Sequence, residues 1–333
     1  MIDWIKLFIT SVLVLLVLLI AIILPSPSQA SQTETKQPPI TQPLVQVQTL
    51  ITNNQLQQAN TLIDDLLKDD PDNTDALYWK GVVSGYQAKQ ASIFKAGAFA
   101  KQSRRAFEKA LEVDATYVAG YQGLIGFYLD APAIAGGSAK KAQQLAEQLK
   151  AFAPLEGALS LLRVAQYREN EEQIEHYISQ LEQSFPSSPQ AQFAVGFYFQ
   201  DLKNYDKAYR AFKRATNLDD SAASTGYISD QQQGAIQSAI QSALYQLGRN
   251  AVFSEKHLED GIKAMKRYLA LEQLPDLPSK TWGQYRLSQL YVLNQQPQAA
   301  KQTLSVLHEA LLAEEHNQDR ELLKLVKRSL KTL

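Results

Sequence analysis

Between Pro189 and Asp220 the chain reads PQAQFAVGFYFQDLKNYDKAYRAFKRATNLDD, with small and bulky residues alternating at helical spacing. Gly196, Ala208 and Ala215 are small, whereas Phe193, Phe199, Tyr205 and Phe212 are large. Two antiparallel helices use such a pattern: small residues let the backbones approach, and the rings fill the gap to the next pair. A single pair cannot bury its apolar side alone, so the segment calls for neighbours of the same kind.

Weaker copies flank it. A first unit ends at Asp69-Asp70-Pro71, its second helix holding Ala59, Leu62, Ile63 and Leu66. A second opens at Thr74 with Leu77 and Gly81 and closes on Phe107, Ala110 and Leu111; the excess length between Gly81 and Phe107 predicts that both helices are extended. A third opens at Val118 with Tyr121, Leu124 and Tyr128, closes on Ala142, Ala146 and Pro154, and has extra residues at PAIAGGS. A fourth, Gly157 to Pro186, keeps only the spacing and Tyr167. The sixth pairs Ala235–Leu247 with Leu258–Leu271, where Gly261 and Met265 take the small and bulky places. The seventh starts near Thr281 with Leu287, Tyr291, Ala300 and Leu304, and Asp319–Leu333 forms a terminal cap. No segment shows the period-two alternation of a strand. The 37 glutamines are dispersed, which favours helix over a low-complexity tract.

Gly196, Phe199, Ala208, Phe212 and Ala215 stand where the 34-residue tetratricopeptide repeat (TPR) places its small and aromatic residues, so the chain resembles that family. The resemblance implies an all-α, α-α superhelical solenoid of TPR-like helix pairs over 44–333 with a C-terminal capping helix. It also implies an interaction scaffold whose first helices line an inner groove. Some family members grip a peptide's terminal carboxylate there with Lys, Arg and Asn.

The amino terminus carries a different signal. Leu7–Leu24 is an uncharged run of eighteen residues, about 27 Å as a helix and close to the bilayer core. Residues 1–30 therefore read as a membrane anchor or a signal peptide. The length of the run favours a single-pass inner-membrane anchor with a periplasmic body. The exit Pro25-Ser26-Pro27-Ser28-Gln29-Ala30 favours cleavage near Ala30 and release to the periplasm. A cytoplasmic body behind the helix is the third arrangement, because Lys6 alone is a weak orientation signal. Ser31–Pro43, polar and proline-rich, is expected to be a disordered linker.

Composition narrows the chemistry. The chain has no cysteine, which excludes disulfides, thiolate metal sites, cysteine nucleophiles and a lipid-modified cysteine. Its net charge of −1 offers no support for nucleic-acid binding. His308-Glu309 and Glu315-His316 lack the spacing of a zinc helix, since Leu312 stands where the second histidine belongs. They read as surface residues, far in sequence from His176 and His257. Gly136-Gly137-Ser138 lacks the P-loop continuation and reads as a turn with Ser138 as N-cap. Lys324, Lys327, Arg328 and Lys331 read as a solvated basic face on the last helix. No catalytic constellation, metal site or cofactor site is expected, and the chain reads as non-enzymatic.

The inner-groove positions of the resemblance fall on Asp75, Tyr78, Val82 and Gly85; Ala119, Gln122, Gly126 and Leu129; Ala158, Leu161, Ala165 and Arg168; Gln190, Phe193, Phe197 and Gln200; and Trp282, Tyr285, Gln289 and Val292. These positions lack a cationic clamp and are rich in aromatics and amides, a surface suited to a peptide. Phe193, Phe197, Gln200, Trp282, Tyr285 and Gln289 are the expected partner-binding residues, with packing inside the solenoid as the competing role. The expected function is a cell-envelope scaffold or adaptor binding a protein or peptide partner. The alternative is a periplasmic small-ligand-binding component associated with a transporter, which requires an enclosed apolar pocket, for which Ile93–Phe99 is the candidate cover.

Overall fold

The computed structural model describes residues 41–216, 230–274, 277–313 and 319–333. The Leu7–Leu24 run, the cut near Ala30, the linker as far as residue 40, and Glu315 and His316 lie outside the described residues. Among the described residues no helix is long and apolar enough to cross a membrane. Gln46–Leu333 forms one compact unit, and the packing below is that of this unit.

The chain runs through α1 (Thr41–Thr52), α2 (Leu56–Asp69), α3 (Thr74–Gln90), α4 (Ile93–Val113), α5 (Val118–Asp130), α6 (Ala139–Phe152), α7 (Pro154–Tyr167) and α8 (Glu171–Ser184). It continues through α9 (Pro189–Asp201), α10 (Tyr205–Thr216), α11 (Asp230–Ser254), α12 (Leu258–Ala270), α13 (Lys280–Leu293), α14 (Pro297–Ala313) and α15 (Arg320–Thr332). No strand occurs among the described residues. Among the described residues the odd-numbered helices from α1 to α13 are the first members of seven pairs, the even-numbered ones the second, and α15 packs on α14. From α2 onward each helix packs on its neighbours in the stack, giving an all-α solenoid of TPR-like helix pairs.

Local chemistry starts these helices where they start. The side chains of Asn73, Ser138, Asn170, Ser188, Ser279 and Asp319 each accept a bond from the N–H three residues on. Pro154 and Pro189 open α7 and α9, where the missing N–H has no partner to lose. In α1, which begins at Thr41, Pro43 likewise sits within the first turn. The second pair is extended as expected, with α3 and α4 of 17 and 21 residues. In the sixth, α11 reaches Ser254, seven residues beyond the expected end at Leu247.

Rings seated on glycines set the helix separation. Phe107 of α4 lies between Gly81 of α3 and Gly123 of α5; a Cβ at either glycine would stand 2.5 or 2.4 Å from its ring. Phe212 of α10 takes the same seat on Gly196 of α9, at 2.6 Å. Both rings are buried, at 4% and 0% exposure. The core then runs along the stack as four consecutive clusters. One lies around Val47 and Ile63, one around Phe107 and Leu161, one around Phe212 and Met265, and one around Leu307 and Leu322.

This seat makes a quantitative prediction. Gly123→Ala forces a methyl against the Phe107 ring and should cost about 1–3 kcal/mol, as overpacking does. Adding Phe107→Leu should cost less than the sum of the two single changes, with a coupling of about 0.5–3 kcal/mol. Denaturant unfolding of the four chains checks it; strict additivity would mean that ring and glycine do not share the space.

Candidate functional site

On the first helices of the last three pairs, rings, amides and guanidiniums form a ribbon of contacts that joins α9 to α11 and α11 to α13. On α9, Phe193 and Phe197 lie 6.0 Å apart between ring centres; Phe193 also leans on the core ring of Phe212, whereas Phe197 is 45% exposed. Gln200, one turn further on, is buried, and its amide donates to the backbone carbonyl of Gln246 at 3.3 Å. Arg249 of α11 donates to the side-chain oxygens of Gln200 and Gln246, at 3.2 and 3.3 Å. Its guanidinium lies 4.9 Å over the ring of Phe253, which is 42% exposed. Arg286 of α13 approaches the same ring at 5.6 Å and stands 5.9 Å from the Trp282 ring. Arg286 also donates to Gln289 at 2.8 Å, while its buried Nε has no hydrogen-bond partner.

Two guanidiniums thus approach one exposed phenylalanine ring. Cation–aromatic contact holds each head group in place and leaves donor groups in the plane for a carboxylate or carbonyl. Among the described residues neither Arg249 nor Arg286 is in an ion pair. Beside Phe253 an open depression of about 600 Å³ is lined by Leu202, Asn204, Tyr205, Asp206 and Lys256.

The expected residues divide between this ribbon and the core. Phe197 faces solvent, Gln289 is half-buried beside Arg286, and Gln200 is a buried joint between α9 and α11. Tyr285 is buried, in the last core cluster with Leu307 and Leu322. Trp282 packs against that cluster and donates its indole N–H to Asp319, the N-cap of α15, at 2.9 Å. Between the two expected aromatic pairs stands α11, which supplied none of the expected groove residues. Two arginines stand outside the expected groove positions. Arg286 falls one place after Tyr285, and Arg249 lies beyond the expected helix end.

The first-helix surface of the earlier pairs is charged and already satisfied. Asp130 at the end of α5 pairs with Lys89 of α3 at 3.7 Å and Arg163 of α7 at 3.1 Å. Elsewhere, the strongest proton-holding arrangement joins α10 to α12. Tyr209 donates to Asp260 at 2.6 Å and stacks on His257 at 3.7 Å, while Lys213 pairs with Asp260 at 2.9 Å. The bond to Asp260, reinforced by burial, pushes the Tyr209 phenol up to about 12. The bonds from Tyr209 and Lys213 hold the Asp260 carboxyl below its ordinary range. Both shifts fix the group in its resting protonation state near neutrality, as a tie between helices does and a proton-transfer group does not. His308 is half-buried rather than on the surface, its Nε2 lacking a hydrogen-bond partner. No cluster of three metal-ligating side chains occurs among the described residues.

No family model matches the chain, and no curated protein matches it. Among solved structures it is similar to yeast Tom70, with 12% identity and a TM-score of 0.45 over 83% of this chain and 59% of that one. The chain therefore spans about three-fifths of the Tom70 structure. It is also similar to PilW, described as a widely conserved type IV pilus biogenesis factor, with 14% identity and a TM-score of 0.40 over 86% and 96% of the two chains. A thermophilic TPR protein of Thermus thermophilus gives 16% identity and a TM-score of 0.40 over 60% and 97%.

The Tyr209–Asp260 tie should show itself through pH. Asp260 is depressed in the fold, so its contribution is present above the ordinary carboxylate range and lost as pH falls through the depressed value. Tyr209 is raised, so its contribution is complete below about pH 10 and lost as pH rises through about 12. Tyr209→Phe should cost about 1 kcal/mol, constant between about pH 5 and 9 and shrinking on both outer limbs. Melting curves of both chains across that range check it; a difference that varies inside the range would place the coupling on another group.

Proposed function

We propose that this chain is a non-enzymatic adaptor of the cell envelope that captures a segment of a partner protein along the first helices of its last three pairs. The observation that carries this is the Arg249–Phe253–Arg286 cluster. An exposed ring beside two guanidiniums that are held by amides rather than by carboxylates suits a peptide presenting an apolar side chain next to a carboxylate. Phe197 and Gln289 extend the same surface in both directions, with amide groups to bond an extended backbone. The depression at Phe253 is open rather than enclosed, and Phe94 in the expected cover is 93% exposed. Both features favour an accessible peptide surface over a closed ligand carrier. The envelope placement rests on the Leu7–Leu24 run, which either anchors the chain in the inner membrane or exports it before cleavage near Ala30.

Capture and stability should separate by residue. Phe253→Ala and Phe197→Ala should weaken partner capture by about 1–3 kcal/mol, roughly tenfold or more, while changing the melting temperature little. Trp282→Phe removes the indole donor to Asp319 and should loosen α15, read as faster amide exchange over Arg320–Thr332 with helical content unchanged. Capture from envelope extract, with a photo-crosslinker at position 197 to mark direct contact, measures the first effect. Normal capture by Phe253→Ala together with a sharply lowered melting point would make that ring core and sink the binding surface. A reporter active only after export, fused behind Leu333, reads the placement; an inactive reporter on a stable fusion would put the body in the cytoplasm.

A further inference from the structure

The second helix pair ends in a tip that neither the core nor the peptide surface uses. At the start of α4, Phe94 is 93% exposed, and Ile134, in the short 3-10 turn after α5, is fully exposed. That turn packs beside α4. The buried face of α4 carries Ser103, Ala106, Phe107 and Ala110. Phe94, Ala98, Lys101 and Arg105 follow at intervals of four, three and four residues, which places them in one stripe on the opposite face. All four are exposed.

The segments that carry this tip are basic, and Asp130, just before the 3-10 turn, is already paired with Lys89 and Arg163. No acidic residue lies between Asp75 and Glu108, nor between Asp130 and Glu147. Lys95, Lys101, Arg105 and Lys140 are exposed and form no ion pair among the described residues, and Lys141, also exposed, lies over the Tyr128 ring. Ser92 makes no cap bond to α4, so the first-turn N–H groups add positive potential at the same end. A chain of net charge −1 has thus gathered unpaired cations around two protruding apolar side chains.

We infer that this tip docks onto a membrane surface rich in anionic lipid, with Phe94 and Ile134 entering the headgroup layer and the surrounding Lys and Arg meeting phosphates. The inference goes beyond peptide capture and does not depend on it. The shape favours lipid over protein. A protruding ring has no walls of its own, so a folded partner would have to supply a complete pocket, whereas a headgroup layer closes around any protrusion. Interfacial binding combines buried apolar area with attraction to anionic headgroups, and the tip offers both.

The absence of cysteine makes the test clean. The full chain carrying Phe94→Cys is labelled with an environment-sensitive fluorophore and reconstituted into vesicles, either neutral phosphatidylcholine or the same lipid with about a third phosphatidylglycerol. Glu309→Cys on α14 is the exposed control. The label at 94 should shift to shorter wavelength and be quenched by headgroup-level nitroxide lipid in the anionic vesicles only, while the label at 309 stays in water. Adding Lys101→Gln and Arg105→Gln should lower the docked-to-undocked ratio about thirtyfold, at roughly 1 kcal/mol per charge. A label at 94 that remains in water in both vesicles overturns the inference. Equal shielding in neutral vesicles overturns it as well, because the charges would then contribute nothing. Shielding already present in detergent, with energy transfer between labelled chains, would assign the tip to a second copy instead.

Discussion

How closely a first helix stands to its neighbours is decided by a side chain of a second helix lying on a glycine. Phe107 on Gly81 and Gly123, and Phe212 on Gly196, leave no room for even a methyl group at those glycines. Met265 meets Gly248 in the same way, its terminal methyl 2.5 Å from where a Cβ would sit. At these seats the second helix contributes the bulk and the first helix the space; Gly261 of α12 reverses the roles, lying against Ala251 and Leu290 of first helices. A close-packed interior resists both a missing and an added carbon, so these seats are fixed points of the stack. A first helix that gives up bulk on its core side has its remaining positions free. Phe197, Arg249, Phe253 and Arg286 stand at such positions.

The sequence discloses this arrangement where small and bulky partners both survive, as Gly196 and Phe212 do in the fifth pair. The fourth pair keeps only spacing, because Gly157 at its start does a different job: a Cβ there would stand 2.3 Å from the Cα of Lys150, so it serves the α6–α7 crossing. One feature repeats without any sequence likeness. Asn54, Glu169, Lys203 and Gln295 all adopt left-handed backbone at φ 53–58° after their first helices. In each case the next residue's N–H reaches back to the last turn, as Gln55 to Leu50 and Asn204 to Phe199. Any residue tolerates that conformation at about 1–2 kcal/mol, so no glycine marks the turn and four different residues hide one geometry. The converse happens in α11, where Gly248 has the look of a helix end but lies inside the helix because Met265 needs its space.

The same physics divides the expected binding residues. Phe197 was legible as exposed because its place in the repeat points away from the seat of Phe212. Gln200 has an inner-face place but closes the joint between α9 and α11, where its amide and carbonyl each have a partner. Trp282 and Tyr285 belong to the seventh pair, which packs against α15, and aromatics at inner-groove places there seat that helix instead. Position in a repeat predicts direction; position in the stack decides what waits there. Arg249 and Arg286 escaped because nothing in the repeat's spacing specifies a charge.

A stack of this kind holds together by neighbour contacts, so its stability is close to a sum of unit terms and interface terms. The interface between the two large core clusters runs through α9 and α10, where Phe199 packs against both. The ribbon from Phe197 through Arg249 to Arg286 begins at that interface and crosses the next two pairs. A peptide lying along it would contact α9, α11 and α13 only when the three stand in register. Its binding free energy would then act as an added interface term, largest where the stack passes from one cluster to the other. The polar joints beneath the ribbon, Gln200 with Gln246 and Arg249, fix that register before any partner arrives, so little ordering would be left for binding to supply.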